Sequence, residues 1–349
     1  MLPATYYAAT ASDLIADINA ANAAGGTNTI VLTAPSSSPY VLTASNNGTD
    51  GGNALPVISG GEISSSGKGK KVVTVTFPAD NLTILTGNGS TNPGHGDIID
   101  ASGHNRLFDV AAGASLALKN VTLQNGLESG AGGAIYNQGT LALSQVLVQN
   151  NTADFSGAGG GIWSNGSLTA KNSTFESNVA ANEFGGPAYG GAIYIAGGAV
   201  SITGSAFGDP SGGGGNTARG QTAYGGAVYV AAGTVTLSGD SFGLVTYSVY
   251  GFSYSGNSAQ GGIARFGDGY GGAVYVAGGS VTLTNDYIQG NYVEDLGNPD
   301  GYAFGDYGGF GGGIYIASGA VYIDSFTLNN TTANFSNGGS IWGPYHLLP

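Results

Sequence analysis

"GGAIYNQGTLALSQVLVQNN", residues 132–151, holds almost no reactive side chain, yet close relatives of it recur down the chain. Its opening GGAIY at 132 returns as GGGIW at 159, GGAIY at 190, GGAVY at 225 and 271, GGGIY at 311 and GGSIW at 338. The spacings are 27, 31, 35, 46, 40 and 27 residues, so one unit of 27 is repeated with insertions. Self-similarity at such a period is the mark of stacked repeats, each burying its apolar face against its neighbours.

Inside each unit the apolar residues alternate with a period of two, which predicts strands. Ile193-Tyr194-Ile195 illustrates the first strand, and a glycine turn follows it. The second strand points Leu141/Leu143, Val200/Ile202, Val235/Leu237, Val281/Leu283 and Val321/Ile323 to one face. A third, short strand carries Val148, Phe175, Phe207, Phe242, Ile288 and Leu328, and Asn151, Asn178, Asn216, Asn257, Asn291 and Asn330 follow it. Three strands per unit predict an all-β chain, a single right-handed parallel β-helix of about ten three-strand coils. At about 4.8 Å per coil the rod is about 50 Å long, and equivalent residues form ladders. Glycine suits the sharp turns. Asparagine tolerates left-handed backbone and offers an amide to the next coil.

This reading divides the chain into an N-terminal segment 1–27, opening coils 28–131, repeat coils 132–342 and a tail 343–349. In the opening coils the expected strands are Ile30–Leu32, Tyr40–Leu42, Val72–Phe77, Leu82–Leu85 and Leu116–Leu123. "SDLIADINAANAAGG" predicts a short helix with Ser12 as its N-cap, an apolar stripe of Leu14, Ile15, Ile18 and Ala21, and a stop at Gly25-Gly26. That helix is expected to cap the N-terminal end of the core, where bare strand edges invite pairing. The repeat is expected to end without such a cap, leaving Leu347-Leu348 to fold over the last coil or enter a neighbouring molecule.

Composition narrows the function. The net charge is −13 with eight Lys plus Arg, so the field repels nucleic acid and anionic lipid. No apolar run reaches the roughly 18 to 20 residues of a membrane span. There is no cysteine. "MLPATYY" lacks the charged and apolar regions of a secretion signal, and a secreted protein in mature or trimmed form is expected from the Thr-, Ser-, Asn-, Gly- and Tyr-rich surface.

GGAIY and its variants, with Phe175-Glu176-Ser177-Asn178 as an intact Phe-x-x-Asn element, resemble the polymorphic outer membrane protein repeats of autotransported bacterial surface proteins. More widely they resemble the pectin-lyase-like right-handed β-helix group. "DIIDASGHNRLFDVAAGASLALKNVTLQNG" resembles the first coils of secreted bacterial proteins with those repeats. The resemblance covers most of the chain and implies fold and surface location far more than activity. Unlike an autotransporter, this sequence is expected to lack a C-terminal membrane barrel.

The wider group includes lyases and glycoside hydrolases, so clustered carboxylates or carboxylate-bound calcium beside a base are what an enzyme here requires. His95, Asp97, Asp100, His104, Arg106 and Asp109 form the densest ionisable cluster, and Arg219, Arg265 and Asp268 a thinner one; both are expected to be structural. Glu294, Asp295, Asp300 and Asp306 are weak calcium candidates in a Gly-rich loop without ligand spacing, and no cofactor is expected beyond them. Ten Asn-x-Ser/Thr triplets, among them Asn47, Asn81 and Asn165, are potential glycan acceptors.

Aromatic residues make the sharper pattern. With Ile193 and Ile195 inward, parity sends Tyr194 outward, and with it Tyr136, Trp163, Tyr229, Tyr275, Tyr315 and Trp342, a stripe about 30 Å long. It either stacks within the molecule or offers a platform to carbohydrate, a surface or another subunit. The insertions add Tyr189, Tyr224, Tyr247, Tyr250, Phe252, Tyr254, Phe266, Tyr270, Tyr302, Phe304, Tyr307 and Phe310 along one edge. The expected function is an extracellular structural or adhesive protein, either a cell-surface passenger or a self-associating and even filament-forming subunit. The alternative is a carbohydrate-active or carbohydrate-binding protein.

Overall fold

The repeating unit folds into four strands. In the unit that begins at Gly132 these are Ile135–Asn137, Thr140–Ser144, Leu147–Gln149 and Thr152–Ala153, and the next three units add a two-residue strand just before the following double glycine. The computed structural model describes every residue except 1, 36, 60–62, 67–72, 77–78, 88–95, 156, 209–213, 244–255, 263–267, 296–308 and 335–339. The three expected strands per unit therefore undercount by one. The fourth is two to four residues long in most units and lies just beyond the asparagine, where the alternation is too short to read.

Equivalent strands of successive units pair in parallel. The second strands build an eleven-strand sheet that starts with Ala4–Ala8 and Gly26–Leu32 and finishes with Ala320–Ile323 and His346–Leu347. The first strands build an eight-strand sheet from Phe108–Val110 to Ile341–Trp342. Third and fourth strands form two runs of one fourteen-strand sheet, joined through the long strand Tyr287–Asp295. Each register shift is one unit, as in Leu141↔Leu168 and Leu168↔Val200. Stacking like on like keeps each apolar position against its own copy: Ile162, Ile193, Val228, Val274 and Ile314 are all fully buried. The result is a solenoid-like stack of long parallel sheets. Among the described residues no helix is long and apolar enough to cross a membrane.

The double glycine has a separate reason at each position. Gly190 has φ +60°, and a Cβ on it would land on the carbonyl oxygen of Ile193 within its own turn. Gly191 faces the next unit, where a Cβ would overlap the carbonyl oxygen of Gly226. The first glycine serves the turn and the second the close stacking of units.

The asparagine ladder is continuous from Asn151 to Asn291, and each of its five members is fully buried. Asn178 Nδ2 donates to Asn216 Oδ1 at 2.9 Å and to the Val148 carbonyl at 2.8 Å, and the pattern repeats unit by unit. None of these five has positive φ. That conformation belongs to other asparagines, Asn120, Asn125, Asn150, Asn172 and Asn285, so the ladder residues are held for their amides. Asn330 does not extend the ladder, and Leu328 is not on a third strand. Asp324 caps a short helix, Ser325–Asn329, that replaces that strand, and Asn330 is its C-cap.

The N-terminal segment differs from expectation in two respects. Ala4–Ala8 is itself a strand, in parallel register with Asn28–Leu32. The helix spans Ala11–Ala24, with Thr10 rather than Ser12 as the N-cap: Thr10 Oγ1 accepts from the Asp13 N–H, and Asp13 Oδ2 accepts from the Ala9 N–H. This reciprocal cap outcompetes a lone serine one turn-position later. Leu14, Ile18 and Ala21 are buried in the same core cluster as Ile30, Ile84 and Leu116, and Ile15 packs against it. The expected strand Val72–Phe77 is not part of the stack either. Val73–Thr76 pairs antiparallel with Ile63–Ser66, a hairpin inserted before the strand Asp80–Thr86.

Candidate interaction surface

Parity and register place the aromatic stripe together. Tyr136↔Trp163, Trp163↔Tyr194, Tyr194↔Tyr229, Tyr229↔Tyr275, Tyr275↔Tyr315 and Tyr315↔Trp342 are successive strand partners. Their rings stack nearly parallel, with centroids 4.3 to 6.4 Å apart. Each such pair contributes about 0.5 to 1.5 kcal/mol beyond area burial.

A second column, not foreseen as one, lies beside the first. Tyr189, Tyr224, Tyr270 and Phe310 stack on one another at 5.3, 5.4 and 5.8 Å. They meet the first column edge to face, as in Tyr224 against Tyr275 at 4.9 Å and 69°, and Tyr270 against Tyr315 at 5.0 Å and 73°. Short parallel pairing of Ala188–Tyr189, Ala223–Tyr224 and Gly269–Tyr270 sets the second column's spacing. Its signal in the sequence is the residue before each double glycine. That residue is Tyr or Phe at 189, 224, 270 and 310 but Ala at 131 and 158.

The two columns make a herringbone in which the central rings cover one another. Tyr275 is 9% exposed, whereas Trp342, at the end of the first column, is 40% exposed. Burial raises the hydroxyl pKa of Tyr189, Tyr194, Tyr224, Tyr229, Tyr270 and Tyr315, and that of Tyr275 to about 12. The tyrosines therefore stay neutral through the ordinary pH range.

The column starts at a charged plug. Asp109 is the strand partner of Tyr136, so a carboxylate occupies the position that aromatic rings hold further on. Arg106 is fully buried, with its guanidinium carbon 4.9 Å from the Tyr136 ring centre. It donates to the carbonyls of Gly132, Ala131 and Asp50 and to Asn53 Oδ1 at 2.7 to 3.1 Å. Burial pushes the Asp109 carboxyl up to about 6, opposed by the Arg106 charge.

Apart from Arg106 and Asp109, the ionisable cluster seen in the sequence is dispersed. Asp97 is buried and accepts from the Thr86 hydroxyl. Asp100 accepts from the Ser102 N–H, Gln124 and Asn125, and His104 lines a surface cavity; His95 lies outside the described residues. Arg219 pairs at 2.6 Å with Glu183, not with Asp268, which accepts from the Tyr270 hydroxyl. Arg265 and Phe266 lie outside the described residues.

So do Tyr247, Tyr250, Phe252, Tyr254, Tyr302, Phe304 and Tyr307, and Asp300 and Asp306 of the calcium candidates. Glu294 and Asp295 sit on Tyr287–Asp295, where their backbones pair with Gln260 and Gly261. Among the described residues no three His, Asp or Glu side chains come together as a metal site.

No protein-family model matches this chain, and no curated protein and no solved structure matches it either.

Proposed function

We propose that this chain is the rod of an extracellular structural or adhesive protein, secreted and held at a cell surface, that associates with copies of itself through its aromatic edge. In this reading the parallel sheets close into a right-handed β-helix, the hand that parallel crossovers strongly prefer. The repeats then belong with those of polymorphic outer membrane proteins, which they resemble. The reading assigns the rod no catalytic step and no cofactor.

The observation that carries the proposal is the aromatic herringbone. Rings repeated unit after unit on an outer face give a stiff, partly apolar ridge, and tyrosine supplies contact area at low entropic cost. The insertions between the repeats carry further Tyr and Phe residues.

Replacing Tyr250, Phe252 and Tyr254 together by Ser tests the reading. Wild-type protein is expected to form concentration-dependent rods or filaments in electron microscopy and sedimentation velocity, and the triple variant to sediment as a folded monomer. A wild-type monomer at every concentration overturns it.

A further inference from the structure

Two phenylalanines stand apart from the herringbone. Phe155 and Phe184 are 52% and 76% exposed, and their rings stack on each other at 4.9 Å and 9°. They follow the fourth strands Thr152–Ala153 and Val179–Ala181 in neighbouring units. The sequence marks the pair with a repeated acid-Phe-x-Gly, at Asp154–Gly157 and Glu183–Gly186. Phe155 also adopts left-handed backbone, φ 61°. A bulky side chain is a rare choice there, and glycine would fill the position without strain. Neither ring belongs to the buried core, so packing does not account for a phenylalanine held out in this way.

The platform borders a groove. A cavity of about 310 Å³ is walled by Phe155 together with His104, Asn105, Leu127, Glu128 and Asp154. Leu127 also lines a second cavity, of about 550 Å³, bounded by Asp100, Asn125, Asn150 and Thr152. These sizes fall within the range of small-ligand sites. The lining is amides, carboxylates, the hydroxyls of Ser102, Ser129 and Thr152 and the His104 imidazole beside an aromatic face, and contains no lysine or arginine among the described residues.

The geometry points to a glycan-binding track in which a neutral oligosaccharide stacks one ring on the Phe155–Phe184 platform and runs into the groove over Leu127. Stacking on the rings suits the C–H face of a pyranose. Amide and carboxylate groups suit its hydroxyls, which both donate and accept. The same carboxylates, on a chain of net charge −13, repel uronate-rich or sulfated chains. The track uses rings other than those of the herringbone, and neither proposal depends on the other.

Calorimetric titration with cellohexaose, chitohexaose, xylohexaose and mannohexaose, and with hexagalacturonate as the anionic control, tests the track. At least one neutral hexasaccharide is expected to bind, and hexagalacturonate is not. Phe155→Gly and Phe184→Ala should each weaken that binding at least tenfold. Phe155→Gly should leave the unfolding temperature unchanged or higher, since it removes a strained residue. Failure of all four neutral chains to bind, equal binding by the variants, or equal binding of hexagalacturonate overturns the proposal. Sedimentation of Phe155→Gly separates the two readings: unchanged self-association with lost glycan binding supports the track, and lost self-association assigns the platform to a second copy and overturns it.

Discussion

Two buried polar ladders run through the same units, one turn apart, and are built differently. After the third strand stand Asn151, Asn178, Asn216, Asn257 and Asn291. After the second stand Ser173, Ser205, Asp240, Asp286 and Thr327. In both, a backbone N–H donates to the side-chain oxygen one unit on, as from Asn178 to Asn216 at 3.2 Å and from Ser205 to Asp240 at 2.7 Å. The asparagines add a second thread, because the amides from Asn151 to Asn257 also donate to the next amide oxygen, and every one of the five donates to a backbone carbonyl. An amide brings as many donors as it needs acceptors, so the column closes on itself at any length. A carboxylate only accepts. Asp286 accordingly keeps Oδ2 buried with no partner. A self-satisfying ladder rigidifies the stack at all pH values, whereas the carboxylate column makes its stability conditional on a proton.

Breaking the closed ladder should have the largest effect. Asn216→Ala removes the acceptor used by the Asn178 backbone and amide, and the donor to the Phe175 carbonyl and to Asn257 Oδ1. At about 1 to 3 kcal/mol per orphaned buried group, and with the losses less than additive, the expected destabilisation is about 3 to 5 kcal/mol. Urea unfolding measures it. A loss under about 1 kcal/mol would show that the ladder adds nothing beyond the backbone pairing around it.

The open ladder should reveal itself through pH. Burial pushes the Asp286 carboxyl up to about 8 from 3.8, aided by the neighbouring Asp240 and Asp324 charges, and pushes Asp240 up to about 7. Both folded-state values lie above the unfolded one. The folded chain therefore keeps protons that the unfolded chain releases, and stability falls as pH rises from about 4 to about 8. The ceiling is about 1.4 kcal/mol per pH unit for each group. With Asp240 and Asp286 sharing the effect, a loss on the order of 2 to 3 kcal/mol is expected between pH 5 and pH 8. Asp286→Asn replaces the protonated acid by a neutral amide and should flatten most of that slope. An identical slope in the variant would remove Asp286 from the explanation.

The contrast also marks what was legible in the sequence. Period and parity expose much of what depends on side-chain identity repeating in register: the inward Ile and Val pairs, the Phe175–Phe207–Phe242 stack, the asparagines from Asn151 to Asn291 and the Tyr194 column. They failed where geometry is set by hydrogen bonds to backbone. The fourth strand is too short to alternate, and Thr10 displaced Ser12 because Asp13 completes its cap. The Ser-to-Asp column was passed over because its members differ in type while sharing one role. The second aromatic column is present as Tyr or Phe before four of the double glycines, where adjacency in sequence to the insertions hides adjacency across units. Asp97, Asp100 and the Arg106–Asp109 pair are close in sequence, and the strands carry them to separate surroundings.

The smallest expected effect sharpens the comparison most directly. Ser205 Oγ accepts from the Ser173 N–H at 3.2 Å and reaches back to the Thr203 carbonyl at 3.3 Å, and its own N–H is held by Asp240 whatever side chain it bears. Ser205→Ala therefore orphans one backbone donor, and Thr203 keeps its strand pairing with Lys171 and Ser238. The loss should be about 1 kcal/mol, the worth of one net hydrogen bond, and the same at pH 5 and pH 8 because no ionisable group is touched. Asn216→Ala, one turn further along the same unit, breaks a chain of amides in which each link orients the next. If the two substitutions cost the same in urea unfolding, amide-to-amide closure contributes nothing beyond a single side-chain acceptor, and the distinction between the ladders fails.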